Sequence, residues 1–166
     1  MRKIVFALIA AVLLLSIAPA FAQLTGTTLL KENVGGKSVN MVEFKTSQAS
    51  KKWLLMFFGS GERGPADGSQ IRDMYNYGYQ KTGASIKFEP EFNILCPQAV
   101  ASYSEFDAEI FNWMFKRYGQ DIEIVITGHS LGGREVMDLI NRYRGKSLPV
   151  QVVGFVSVAG DSDEWS

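Results

Sequence analysis

The sequence predicts an α/β fold, a three-layer sandwich in which helices cover a mostly parallel central sheet. Apolar runs of strand length occupy residues 53–58, 92–96, 122–127 and 152–158. The runs do not alternate cleanly between apolar and polar residues, which is typical of strands buried on both faces. Segments with helical spacing lie between them, and strands that alternate with helices favour parallel pairing through right-handed crossovers.

The first 22 residues have the pattern of a signal peptide. Arg2 and Lys3 precede an apolar run at residues 4–17, and a small-x-small cleavage site ends at Ala22. An uncleaved N-terminal anchor is the alternative, but the run is shorter than the ~20 residues that a spanning helix needs. We therefore expect cleavage after Ala22, a secreted or periplasmic location, no membrane association after cleavage, and a single domain over residues 23–166.

The composition excludes several classes of function. The 166 residues are 46% hydrophobic and 20% charged, and 17 Lys and Arg balance 17 Asp and Glu. This balance gives no basic surface for nucleic acid or for an anionic membrane. One Cys and one His exclude an internal disulfide and the common Cys/His zinc sites. We expect no metal, nucleotide or organic cofactor, and we expect Cys96 to be a buried core thiol.

The elements outside the four apolar runs follow from local patterns. Segments 27–31 and 38–45 flank a glycine turn and predict an antiparallel N-terminal hairpin. A capping box formed by Ser102 and Glu105 predicts the start of a helix that stops at Gly119. A second helix is predicted over residues 131–143.

A weaker helical pattern covers residues 70–79. Its tyrosines, Tyr75, Tyr77 and Tyr79, are interpreted as packing residues, and the alternative is an aromatic platform for a phenolic or sugar ester.

The most informative motif is the G-x-S-x-G sequence from Gly128 to Gly132. It follows a predicted strand and opens a predicted helix, which is the context of a nucleophile elbow centred on Ser130. Such a turn strains the serine backbone, and we expect that side chains at positions 128 and 132 would collide with a neighbouring strand or helix. The backbone N–H of Leu131, at the helix N-terminus, is the first candidate oxyanion donor.

The loop at residues 58–64, after the first buried run, supplies the second candidate donor. Glycines at 59, 61 and 64 allow close approach of the backbone to a substrate, and the N–H of Ser60 is the predicted donor. The alternative is that these glycines only form a tight loop. Gly59, Gly61 and Glu62 are the candidate substrate-binding residues. Glu62 and Arg63 either contact substrate or, as we favour, form an ion pair that braces the loop.

Three segments together resemble the α/β-hydrolase superfamily: residues 54–64, 93–98 and 128–133. Over residues 50–162 the sequence most resembles a secreted esterase branch that includes polyhydroxybutyrate-depolymerase-like and feruloyl-esterase-like proteins and related predicted peptidases. The resemblance implies that Ser130 is the acyl-accepting nucleophile and that Leu131 and Ser60 supply the oxyanion N–H groups. The family usually has His where this sequence has Phe58, so the hydrogen bonding of the loop is expected to differ.

The general base is the main departure from the family. In this fold the acid and then the His follow the nucleophile, but no His follows Ser130. The single imidazole, His129, should point away from Ser130 on an elbow, and we predict a structural role for it. Asp161 or Asp163 is the candidate acid, although both are interpreted as loop residues because an acid without a base does not activate serine. We therefore expect an incomplete α/β-hydrolase fold, truncated at the C-terminus, without its final strands and triad loops.

Three functional hypotheses remain. The chain is the N-terminal portion of a secreted serine hydrolase that acts on an ester- or amide-bearing substrate, polymers included. Alternatively, it is a truncated, catalytically weak relative that binds a ligand or partner, or a second chain completes its site. The run at 152–158 is predicted to be an apolar edge strand through which the chain can self-associate.

Overall fold

A computed structural model describes residues 27–46, 50–71 and 92–158. This part of the chain contains six strands and two α-helices. The strands are β1 (Thr27–Val34), β2 (Lys37–Phe44), β3 (Lys52–Phe57), β4 (Phe92–Pro97), β5 (Glu123–His129) and β6 (Gln151–Val158). The helices are α1 (Asp107–Tyr118) and α2 (Leu131–Tyr143), and one-turn 3₁₀ helices lie at Ser60–Glu62 and Tyr103–Glu105.

All six strands form one mixed sheet with the order β1-β2-β4-β3-β5-β6. The first two pairs, β1 with β2 and β2 with β4, are antiparallel. The strands β4, β3, β5 and β6 are parallel to one another. The predicted α/β class, with a mostly parallel sheet and an N-terminal antiparallel hairpin, is therefore confirmed.

The hairpin is longer than the sequence pattern indicated. Its connection is a two-residue turn in which Gly35 has φ +59° and Gly36 has φ +88°, as a type I′ turn requires. The carboxamide oxygen of Asn33 accepts a hydrogen bond from the Gly36 N–H at 2.8 Å. Because the turn is so tight, pairing continues to Val34 and Lys37.

The main core lies between one face of the sheet and both described helices. It includes Ile124 and Ile126 of β5, Ile110, Phe111 and Met114 of α1, and Val136 and Leu139 of α2. The opposite face carries a smaller cluster of Val42, Met56, Phe58, Ile71, Ile94 and Cys96. Cys96 is buried, as predicted, and burial raises the pKa of its thiol.

The capping box formed by Ser102 and Glu105 is present, but it caps the one-turn 3₁₀ helix and not α1. The α-helix begins only at Asp107, because Phe106 has a non-helical backbone with φ −143° between the two elements. Helix α2 ends at Tyr143, where the sequence predicted. No helix in the described ranges combines the length and hydropathy needed to cross a membrane.

Several predicted features fall outside the described residues. They are the signal peptide at residues 1–22, the helical pattern beyond residue 71 with its three tyrosines, and the candidate acids Asp161 and Asp163.

Candidate active site

The centre of the candidate site is Ser130, which lies alone between the end of β5 and the start of α2. Its backbone has φ +53° and ψ −118°. Among the described residues it is the only one other than glycine with a positive φ. A non-glycine residue adopts this region only when the surrounding structure enforces it. The predicted strained turn from strand to helix is therefore confirmed.

The two glycines of the motif are required by close backbone packing. A Cβ atom on Gly128 would lie 2.0 Å from the carbonyl oxygen of Gly132, which belongs to α2. A Cβ atom on Gly132 would lie 2.1 Å from the carbonyl oxygen of Phe57 in β3. The predicted collisions with a neighbouring helix and strand are thus confirmed, and the absence of both Cβ atoms allows α2 to pack closely against the end of the sheet.

Backbone hydrogen bonds fix Ser130 on both sides. Its N–H donates to the carbonyl oxygen of Val158 in β6 at 3.0 Å, and its carbonyl oxygen accepts from the Arg134 N–H at 3.0 Å. The next N–H, that of Leu131, is the first of α2 and has no intrahelical acceptor. No described residue accepts a hydrogen bond from it. It is therefore available to an incoming oxygen atom beside Ser130.

The glycine loop after β3 lies directly against Ser130. A Cβ atom on the buried Gly59 would lie 3.6 Å from the Ser130 Cβ and 3.6 Å from the His129 Nδ1. The Glu62 carboxylate approaches the same point at 3.2 Å. Ser60 is exposed and begins a 3₁₀ turn, and no described residue accepts from its N–H. The structure thus brings the Ser60 and Leu131 segments together around the serine.

The predicted ion pair between Glu62 and Arg63 is wrong: in the described part of the chain the two side chains form none. The Arg63 guanidinium instead donates from Nε to the Ser60 carbonyl oxygen at 3.1 Å and from Nη1 to the Ala101 carbonyl oxygen at 3.2 Å. Adjacent residues in this turn project in different directions, so Arg63 faces backbone carbonyls while Glu62 faces Gly59. Arg63 braces the loop, but it does so through carbonyl oxygens.

The backbone of Phe58 is held by a residue that no sequence pattern indicated. The hydroxyl of Tyr103 accepts a hydrogen bond from the Phe58 N–H at 2.7 Å and donates one to the Phe58 carbonyl oxygen at 3.2 Å. Burial raises the pKa of this hydroxyl well above its ordinary value, so it stays protonated and able to donate. The two residues are 45 positions apart, and no local pattern links them.

Two buried amides hold the rest of the loop and were also missed. The Gln98 carboxamide donates to the Glu62 carbonyl oxygen at 3.2 Å. The Asn40 carboxamide donates to the carbonyl oxygens of Pro65 and Ala66, each at 3.3 Å. The only available signal was an amide side chain among the apolar residues of β2 and another directly after the apolar strand β4.

The single imidazole does not serve Ser130 in the described part of the protein. His129 is exposed, and its Nδ1 lies beside Gly59 of the loop that follows the neighbouring strand β3. A Cβ atom on Gly59 would lie 3.6 Å from both the His129 Nδ1 and the Ser130 Cβ, and the predicted structural role of His129 stays a prediction. No hydrogen bond joins it to the Ser130 hydroxyl. The described residues also contain no group of three or more His, Cys, Asp or Glu side chains arranged to hold a metal ion.

Comparison with solved structures identifies the architecture. A thermostable esterase matches with a TM-score of 0.56 and 14% identity over 86% of this chain, and an arylesterase with 0.52 and 15% over 84%. The chain has an α/β-hydrolase-like fold. The juvenile hormone epoxide hydrolase from the silkworm Bombyx mori also matches, with a TM-score of 0.54 and 15% identity over 81% of the chain. Neither a protein-family model nor a curated protein matches the sequence.

This chain spans less than half the length of these three structures: 43% of the esterase, 48% of the arylesterase and 36% of the epoxide hydrolase. Two of these structures are esterases and one is an epoxide hydrolase. A fold of this kind supports more than one reaction, so the reaction must be argued from the site.

Proposed function

We propose that this protein is a serine hydrolase that cleaves carboxylic esters through an acyl-enzyme on Ser130. The observation that carries the proposal is the strained backbone of Ser130 between β5 and α2, with the glycine loop packed against it. A serine held in this way presents its hydroxyl beside the Leu131 N–H, at the N-terminus of a helix, where developing negative charge is favoured.

The proposed reaction is acyl transfer. The Ser130 Oγ attacks the ester carbonyl carbon, and the carbonyl oxygen becomes an oxyanion that accepts hydrogen bonds from the Leu131 and Ser60 N–H groups. The tetrahedral intermediate collapses, the alcohol leaves with a proton, and water then releases the acid from Ser130. A base must take the serine proton. Because His129 makes no contact with the hydroxyl, we propose that the base comes from beyond the described residues or from a partner chain.

The pattern of residues 1–22 supports a further proposal, that the protein is exported to a secreted or periplasmic location. The substrate class proposed is an ester- or amide-bearing molecule, including polymers. The exposed Ser60 and Gly61 support this, because a Cβ atom on Gly61 would meet nothing within 4 Å and the loop is open to a large substrate.

Turnover of p-nitrophenyl esters tests the proposal. The full chain should release p-nitrophenol faster than buffer does, and Ser130→Ala should remove that excess. Ser147→Ala is the matched control, because Ser147 is exposed after α2 and outside the site, and it should keep the wild-type rate. Equal rates for wild type and Ser130→Ala, both above the buffer rate, would show that another residue is the nucleophile, and a wild-type rate equal to the buffer rate would refute esterase activity of this chain.

We also propose that the chain self-associates through β6, by antiparallel pairing with the same strand of a second copy. The strand lies at the end of the sheet order, residues 151–158 carry no charge, and four of its apolar side chains are 40–51% exposed. Within the described residues, no charged side chain or proline of this strand blocks pairing at its edge. The carbonyl oxygen of Val158 also holds the Ser130 N–H, so pairing would take place next to the elbow.

Sedimentation velocity over a hundredfold range of concentration tests this second proposal. The wild-type chain should shift to dimer, and Val156→Lys, which places a charge on the exposed edge strand, should stay monomeric. A wild-type monomer at every concentration would contradict self-association.

A further inference from the structure

The backbone groups of Phe58 lie just past the end of sheet pairing and need partners. Strand β3 ends at Phe57, and its pairing with β5 ends there too. Phe58 is nevertheless buried, and a buried N–H and C=O without partners would each cost free energy. Both groups are satisfied by one atom, the hydroxyl oxygen of Tyr103, which accepts at 2.7 Å and donates at 3.2 Å.

The position of the Tyr103 hydroxyl is restricted by the surroundings of its ring and of its backbone. Its side chain is 2% exposed, and its ring meets the Phe57 ring edge-to-face at 4.7 Å and the Phe106 ring at 6.0 Å. Its backbone belongs to the 3₁₀ turn that Ser102 and Glu105 cap. Contacts on the ring and on the backbone therefore both restrict where the hydroxyl can lie.

Two peptide planes connect the Phe58 carbonyl, which Tyr103 binds, to the Ser60 N–H, the candidate oxyanion donor. The carbonyl and the Gly59 N–H share one planar peptide, so fixing the oxygen fixes that plane. Gly59 then has φ −70° and ψ 179°, and the next plane carries the Ser60 N–H. The same Gly59 is the residue that packs against Ser130.

We propose that Tyr103 is a positioning residue: its hydroxyl fixes the Phe58–Gly59 peptide and so sets the direction of the Ser60 N–H towards the oxygen bound at Ser130. This inference rests on the proposed serine hydrolase function. Tyr103 itself touches no reacting atom. It reaches the loop from the 3₁₀ turn before α1.

The direct test combines amide hydrogen exchange with the rate at which a fluorophosphonate probe modifies Ser130, both on the full chain. Tyr103→Phe deletes one oxygen atom and keeps the ring packing. We expect exchange at the Phe58 amide to rise at least tenfold. We expect the maximal labelling rate to fall about tenfold, less than the 10²–10³ lost when an oxyanion donor is removed outright. The probe concentration at half-maximal rate should stay unchanged, because the hydroxyl does not contact the probe.

Tyr143→Phe is the matched control. Its hydroxyl also donates to a backbone carbonyl, that of Ala108 in α1, at 3.2 Å, but it lies away from the loop. This variant should leave both the Phe58 exchange rate and the labelling rate at wild-type values. A change of equal size in both variants would indicate general loosening of the fold and would overturn the positioning role.

The outcomes separate this inference from the proposed function. A wild-type chain that the probe does not label refutes the proposed function and the positioning role with it, while a protected Phe58 amide would still identify a structural brace. A labelled wild type whose Tyr103→Phe variant reacts at the same rate overturns the positioning role alone. The wild-type exchange measurement needs no variant: a Phe58 amide that exchanges like an open loop also overturns it.

Discussion

Replacing Gly132 by alanine tests the packing that creates the elbow. The added Cβ atom would lie 2.1 Å from the Phe57 carbonyl oxygen and 2.8 Å from the Phe57 Cβ, whereas ordinary contact begins at 3.4 Å. Helix α2 would therefore have to move away from β3 by about 1 Å. The clash is with backbone, which cannot rotate aside as a flexible side chain can.

The cost follows from two opposing effects. Overpacking of a rigid site costs about 1–3 kcal/mol, and the backbone clash places Gly132→Ala at the upper end. Alanine in place of glycine stabilises a helix by up to about 1 kcal/mol. The net loss is about 2 kcal/mol, which corresponds to a fall in Tm of about 4–8 °C for a protein near this size.

Thermal unfolding followed by circular dichroism is the assay, with Gly154→Ala as the control. A Cβ atom on Gly154 in β6 would make ordinary contacts of 3.8 and 3.9 Å with the Val125 methyl groups. Because glycine also weakens a strand, this variant should unfold at or slightly above the wild-type temperature. If Gly132→Ala unfolded within about 1 °C of wild type, α2 would not pack against β3 as closely as the Gly132 backbone contact with Phe57 requires.

Three further predictions concern side chains around the core and the loop. Burial and the neighbouring Asp107 carboxylate raise the pKa of Glu135 from 4.5 to about 9. The native carboxyl therefore stays protonated up to near pH 9 while the unfolded one ionises above about pH 4.5, so the stability falls as the pH rises between these two values. Glu135→Gln should therefore flatten the fall in urea stability between pH 5 and pH 9, and an unchanged slope would contradict this assignment. Tyr118→Phe removes the 2.6 Å hydrogen bond to the buried Glu43 carboxylate and should cost about 1–3 kcal/mol in urea unfolding. The Lys45 and Arg117 side chains lie 3.7 and 3.8 Å from the same carboxylate, and a loss below about 0.5 kcal/mol would mean that they alone satisfy it. Arg63→Ala removes two hydrogen bonds to backbone carbonyls and should speed amide exchange in residues 60–64. Because the side chain is exposed, the Tm should change by no more than about 2 °C. Unchanged exchange would show that Arg63 does not brace the loop.

The strands and the elbow could be predicted because their causes are local. The apolar runs matched β3, β4, β5 and β6 to within two residues, since burial on both faces leaves a continuous pattern in the sequence. The roles of Gly128 and Gly132 were also predictable, because a tight turn between strand and helix leaves no room for a Cβ atom. The capping box was correct as a motif, but the irregular Phe106 delayed the start of α1.

The contacts that hold the candidate oxyanion loop could not be predicted, because they join distant parts of the chain. Tyr103 meets Phe58 across 45 positions, and Asn40 meets Pro65 across 25. The adjacency of Glu62 and Arg63 suggested an ion pair, yet the backbone of the turn directs the guanidinium to carbonyl oxygens instead. Where the backbone turns this sharply, side chains that are adjacent in sequence need not form ion pairs with each other.

The central claim is that Ser130 is an activated nucleophile on an α/β-hydrolase-like elbow. Peptide mapping by mass spectrometry after treatment with a fluorophosphonate probe tests it most directly. We predict one adduct per chain, on the peptide that contains Ser130, and no adduct on Ser130→Ala. An unmodified Ser130, or an adduct on another serine that persists in Ser130→Ala, would contradict it.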